Sequence, residues 1–218
     1  PEELKTYNLN VPVYGRINMG GHNTKDKSFS GAIYRIAPKG FKRALPKLTG
    51  DAIQDGITLL KNPAPSVRFV GFEKLRQAGA AALRAVRELV KSDNRWFSAR
   101  ATWLLPHLGA EGLAECRELL KHGDGERRLL AFRALRAAGQ DVMTLAKQLV
   151  ADDSAAVRRE VAVSLRTIDT KDKLPLVVHL FATANGTDRH YLEACGMAAT
   201  GIEDGVWQAL DKAANQAP

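Results

Sequence analysis

Cysteine is scarce in this chain: its 218 residues include two, Cys116 and Cys195, far apart and outside any Cys-x-x-Cys-His run. Two isolated thiols suggest no structural disulfide, attach no c-type haem and leave the redox compartment open. Long apolar runs are absent too. None approaches the roughly 20 residues that a bilayer-spanning helix needs, so no membrane span is expected. The histidines, His22, His107, His122, His179 and His190, show no metal-ligand spacing with one another or with the cysteines, so no metal site is expected. His22, in a Gly-rich loop, reads as an exposed or turn-stabilising residue ahead of a metal or cofactor contact. No initiator Met or signal peptide stands at Pro1, and the plainest reading is a piece of a longer polypeptide.

What the chain does have is a thirty-residue echo. Leu75, Leu105, Leu135 and Leu165 keep one interval, as do Gly79, Gly109 and Gly139, and Leu60, Val90, Leu120 and Val150. A further column, Gly71, Ala101, Ala131 and Val161, stays small, as a closely packed helix pair requires. Periods of this size mark repeat architectures.

Each copy divides into two amphipathic halves. In the second copy Leu83, Val86, Leu89 and Val90 form one stripe, Ser92-Asp93-Asn94 makes a capping break, and Phe97, Ala101, Leu104, Leu105 and Leu108 form another, with Gly109 as a C-cap. The third and fourth copies turn near Gly123-Asp124-Gly125 and Asp152-Asp153-Ser154, and the first around Asn62-Pro63-Ala64-Pro65. A looser fifth copy, about 171–201, has its register slipped by about one residue, and 204–214 reads as a capping half-unit. The expected fold is mainly α, a solenoid of about five helix pairs over 51–218.

Residues 1–50 stand apart. Residues 28–38 read as a strand, with a Gly-, Asn- and Lys-rich loop before it, and a lone strand needs partners that this chain does not supply. This arm carries nine Lys and Arg against three Asp and Glu, leaving 23 against 21 for the other 168 positions. The net charge of +8 therefore lies mostly in the arm, and the overall pI of about 9.6 is a poor guide to what the repeats bind.

Pro65-Ser66-Val67-Arg68 and Ser154-Ala155-Ala156-Val157-Arg158, each leading into an Ala- and Leu-rich helix, resemble HEAT repeats, and the thirty-residue length is similar to the HEAT-like repeats of phycobilisome lyases. Gly20-Gly21-His22-Asn23, Asp26-Lys27 and Gly31-Ala32-Ile33-Tyr34-Arg35-Ile36-Ala37-Pro38-Lys39-Gly40 resemble a narrower pattern. It is the join between a β-propeller and HEAT repeats in planctomycete-type putative membrane-bound dehydrogenases, the PVC-type haem-binding CxxCH family. The stretches around Trp96 to Leu105 and Asp188 to Ala194 look similar as well. This resemblance implies a parent protein with a sugar or alcohol dehydrogenase-like propeller, a spacer of HEAT repeats and a cytochrome-c-like domain. It also implies export, haem c and a propeller-bound redox cofactor in the parent, and no cofactor in the present chain.

No catalytic set recurs among the columns, and no catalytic, cofactor-binding or metal-binding residue is assigned. The candidate partner-binding surface is Arg76, Arg136 and Arg166, which share a column interrupted by Pro106, together with Arg133, Trp96 and Trp103. On second helices such a column lines one face, either a plain solvated one or a basic stripe. The column Arg68, Arg128 and Arg158, with Ser98 in the second copy, reads instead as hydrogen-bonding to acidic turn residues such as Asp93, Asp124 and Asp153 between neighbouring repeats. Trp96 and Trp103 offer large faces for a protein contact or for inter-repeat packing. The leading expectation is a non-catalytic scaffold that binds protein domains of the same parent chain or of another protein. The alternatives are a stand-alone enzyme of DNA glycosylase or bilin lyase type, for which Trp103, Glu73 and the Arg76 column supply residue types without a motif, and a nucleic-acid binder.

Overall fold

Asp51 opens the first helix: its carboxylate accepts from the backbone amides of Ile53 and Gln54 at 2.8 Å each, satisfying two of the N–H groups a helix start leaves free. The computed structural model describes residues 46–168 and 171–215, which belong to one compact unit beginning at Pro46. The expected strand at 28–38, its preceding loop and His22 lie outside the described residues.

Among the described residues the regular elements are all helical. They are α1 (Ala52–Lys61), α2 (Pro65–Ala78), α3 (Leu83–Val90), α4 (Arg95–Leu104), α5 (Gly109–Glu118), α6 (Gly125–Ala137), α7 (Val142–Leu149), α8 (Ala155–Leu165), α9 (Leu174–Ala182), α10 (Arg189–Ala198) and α11 (Glu203–Asn215). The turn residues act as the sequence requires. Asn94, Asp124 and Asp188 cap α4, α6 and α10, and Pro65 starts α2 where no backbone N–H is needed. Gly79 and Gly139 take positive φ just past the second helix of the first and third copies, and Gly109 does so where the second copy passes into α5, the conformation that ends a helix at no Cβ cost.

Helices pack in two rows. Within a copy the members pair, α1 with α2, α3 with α4, α5 with α6, α7 with α8 and α9 with α10. Between copies the even-numbered helices also touch in sequence, α2 to α4, α4 to α6, α6 to α8 and α8 to α10. Contacts of this neighbours-only kind are compatible with an α-solenoid.

The echo is the core. Leu75, Leu105, Leu135 and Leu165 are buried, and so are Gly71, Ala101, Ala131 and Val161. The register slip expected in the fifth copy does not reach these columns: Cys195 stands thirty residues after Leu165 and Tyr191 thirty after Val161, and both are buried. A change of residue type, thiol for leucine and tyrosine for valine, hides an unbroken interval. Gly71 shows why its column stays small, since a Cβ there would lie 2.5 Å from the Leu60 amide nitrogen and 2.8 Å from the Gly56 carbonyl oxygen.

Candidate protein-binding face

The arginines of the second helices divide by what they meet. Arg68 and Arg158 turn back on their own turns: Arg68 donates to the carbonyls of Pro63 and Asn62, and Arg158 to those of Asp152 at 2.6 Å and Asp153 at 3.1 Å. Arg158 also crosses to the next copy, with Nε 3.3 Å from the Tyr191 hydroxyl. Arg128 makes the inter-repeat acidic contact in full, with Nε 2.7 Å and Nη2 2.8 Å from the Asp152 carboxylate, a further contact to Asp153, and Nη1 on the carbonyls of His122 and Gly123. The expectation of Arg-to-Asp contacts between repeats thus describes Arg128, whereas Arg68 and Arg158 serve turn carbonyls. In the second copy Ser98 occupies the column and donates to the Val90 carbonyl at 2.6 Å. Arg100 instead reaches back from α4 to the carbonyls of Leu60 and Asn62 in the copy before.

Arg133 and Arg136 converge on Glu160 of α8, the second at 2.8 Å. Burial raises the pKa of this carboxyl, but the hydrogen bonds and charges of the two arginines outweigh it and hold the group below its ordinary value. Arg76 pairs within its own helix with Glu73 at 2.8 Å, and that hydrogen bond holds Glu73 low. Arg166 is exposed at the end of α8.

Two grooves lie between consecutive second helices. One, between α2 and α4, is lined by Pro65, Phe69, Phe72 and Trp103, together with Arg68 and Arg100. The other, between α4 and α6, is lined by Arg95, Trp96, Ala99, Leu129, Leu130 and Arg133. They are the same groove one repeat apart: Pro65 and Arg95, Phe69 and Ala99, Arg100 and Leu130, and Trp103 and Arg133 are each separated by thirty residues. The structure thus brings Trp96 and Arg133 together and places Trp103 in the neighbouring groove. Arg76, Arg136 and Arg166 follow three residues after Glu73, Arg133 and Val163, one helical turn further along the same stripe.

This face differs from the other side of the molecule in charge and in exposed apolar surface. Helices α2, α4, α6, α8 and α10 carry twelve Lys and Arg against four Asp and Glu, whereas α1, α3, α5, α7 and α9 carry five against five. The large exposed apolar residues on paired helices are Phe69 and Val70 of α2, Trp96 of α4 and Val163 of α8. Phe69 and Trp96 are 66% and 62% exposed. These belong to second helices, whereas Trp207, 72% exposed, lies on α11, which packs against α9. Sequence reasoning missed Phe69, Arg95, Arg100 and Arg127, of which Phe69 was detectable as a bulky outlier in a column otherwise holding Ala99, Leu129 and Arg159.

Other chemistry is sparse. Cys116 and Cys195 are buried, and burial pushes their thiols up to about 12 and about 11, which suits packing rather than reactivity. Among the described residues no cluster of His, Cys, Asp and Glu is arranged to hold a metal ion, and no helix is long and apolar enough to cross a membrane. No protein-family model, curated protein or solved structure matches the chain.

Proposed function

We propose that residues 51–218 are a HEAT-like solenoid of about five helix pairs whose second-helix row is a protein-binding face, and that the chain is a non-catalytic scaffold segment of a larger protein. On this reading the parent is the propeller, HEAT and cytochrome-c-like dehydrogenase that the motifs in 20–40 resemble, with its redox cofactors outside this chain. The carrying observation is the charge asymmetry of the two rows, an excess of basic residues on the second helices, which also carry exposed Phe69, Val70, Trp96 and Val163. Aromatic and arginine side chains are the types that concentrate binding energy at protein interfaces.

The test is a peptide-display selection on the full chain, repeated with the double variant Phe69→Ser, Trp96→Ser. Both residues are largely exposed, so the thermal melt is expected to stay unchanged while captured peptides are lost. Peptides retained equally by the variant would move the binding site elsewhere. Turnover of aldose or alcohol donors with an artificial electron acceptor by the purified chain would overturn the scaffold reading.

A further inference from the structure

The α2/α4 groove has an unbalanced chemistry. Its walls are mainly apolar, from Pro65, Phe69, Phe72 and Trp103, yet two guanidinium groups, Arg68 and Arg100, also line it and no carboxylate does. Each of these arginines spends Nη1 on carbonyls at the end of α1 or in the turn after it, and among the described residues neither shows a partner for Nε or Nη2. A guanidinium has five donors, so both retain donor capacity. Burial and the neighbouring Arg68 charge hold the Arg100 pKa down, a like-charge cost that an incoming anion would relieve.

One repeat along, the α4/α6 groove offers Trp96 with the Arg95 guanidinium 5.0 Å from its ring, and Arg127 beside Leu130. Arg95 and Arg127 meet no carboxylate among the described residues. The recurring combination is an apolar seat next to guanidinium groups that form no ion pair among the described residues, although Asp93, Asp124 and Glu126 also line the second groove. Resting on the protein-binding face proposed above, we infer that this row binds an extended acidic peptide, with apolar side chains in the two grooves and carboxylates on Arg68 and Arg100 and on Arg95 and Arg127.

The repeat geometry sets the spacing of the anchors. Packed helix axes lie about 8–10 Å apart, and an extended polyproline-II chain advances about 3.1 Å per residue with three residues per turn, so side chains three apart share one face. Apolar anchors for neighbouring grooves are therefore about three residues apart, with acidic residues between them. A nucleic-acid backbone suits the face less well. Arg76, Arg133 and Arg136 are already paired with glutamates, so the unpaired cations do not form the continuous track that a regular phosphate backbone follows.

The experiment is fluorescence anisotropy on the full 218-residue chain with a labelled peptide of repeating Leu-Asp-Glu. Controls are the Leu-Asn-Gln peptide, a Leu-Asp-Leu-Glu peptide with anchors two residues apart, and a single-stranded thymidine 12-mer. The acidic three-residue peptide should bind at least tenfold tighter than every control. The charge reversal Arg95→Glu, Arg127→Glu, which touches exposed or half-buried positions, should weaken it at least tenfold with an unchanged circular-dichroism melt. Equal binding of the neutral peptide overturns the acidic specificity while leaving the protein-binding face intact, and tighter binding of the oligonucleotide replaces the peptide with nucleic acid. If no peptide binds here although display selection yields ligands sensitive to Phe69 and Trp96, this inference fails alone; if selection also yields none, both fail.

Discussion

Glu160 and Asp152 show what single carboxylates do in this structure. Both have side chains at most 10% exposed, and each is held by arginine from the preceding copy, Glu160 by Arg133 and Arg136, Asp152 by Arg128. In each, burial raises the pKa and the arginine contacts reverse the sign, leaving the carboxyl below its ordinary value of 4.5 or 3.8. A group depressed in the folded state contributes stability that is complete above its unfolded pKa and is lost as pH falls through the folded one. Burial holds the His107 imidazole below its ordinary 6.5, so unfolding free energy from urea titration is expected to decline slightly from pH 7 to about 5 and to fall further below about 4.5, with a shallower acid limb in Glu160→Gln. An acid limb of unchanged steepness in that variant would assign the sensitivity to other groups. The sequence shows the arginine columns, but whether an arginine serves a turn carbonyl, as Arg68 does, or the next copy's carboxylate, as Arg128 does, depends on distances across the stack that one column of letters does not contain.

At the scale of elements, close approach and helix termination explain the glycines. Gly71 lies where α2 crosses the backbone of α1, and Gly71→Ala places a methyl group against main-chain atoms at 2.5 and 2.8 Å. It is expected to cost about 1–3 kcal/mol. Gly196, inside α10, has open space where a Cβ would go, so Gly196→Ala is expected to gain about 0.5–1 kcal/mol from helix propensity alone. Chemical denaturation of both variants checks the pair, and the same sign for both would refute the distinction. Helix positions in the first four copies were legible from apolar periodicity and turn chemistry. The fifth copy was less so, because Cys195 and Tyr191 occupy the buried columns with residues that a search for leucine and valine passes over.

Among the described residues, helices meet their neighbours in sequence and little else, so a local defect should stay local. Arg128→Ala leaves the half-buried Asp152 carboxylate without its main partner, a loss of about 1–3 kcal/mol. Amide hydrogen exchange should then quicken most in α6, α7 and α8 and least in α1 and α2; uniform acceleration along the chain would show instead one indivisible cooperative unit. By itself the sequence determined the thirty-residue period, the helix-turn-helix plan, the capping residues and the core columns, because these follow from spacing along one strand of covalent chain. Only the tertiary structure decided the asymmetry of the two rows. A repeat region nearly neutral in total separates into a basic, apolar-studded row and a balanced one, and Phe69 comes beside Trp103, and Trp96 near Arg133, across helices about thirty residues apart. Charge sums and columns record composition and interval, whereas a binding face is made where different copies touch.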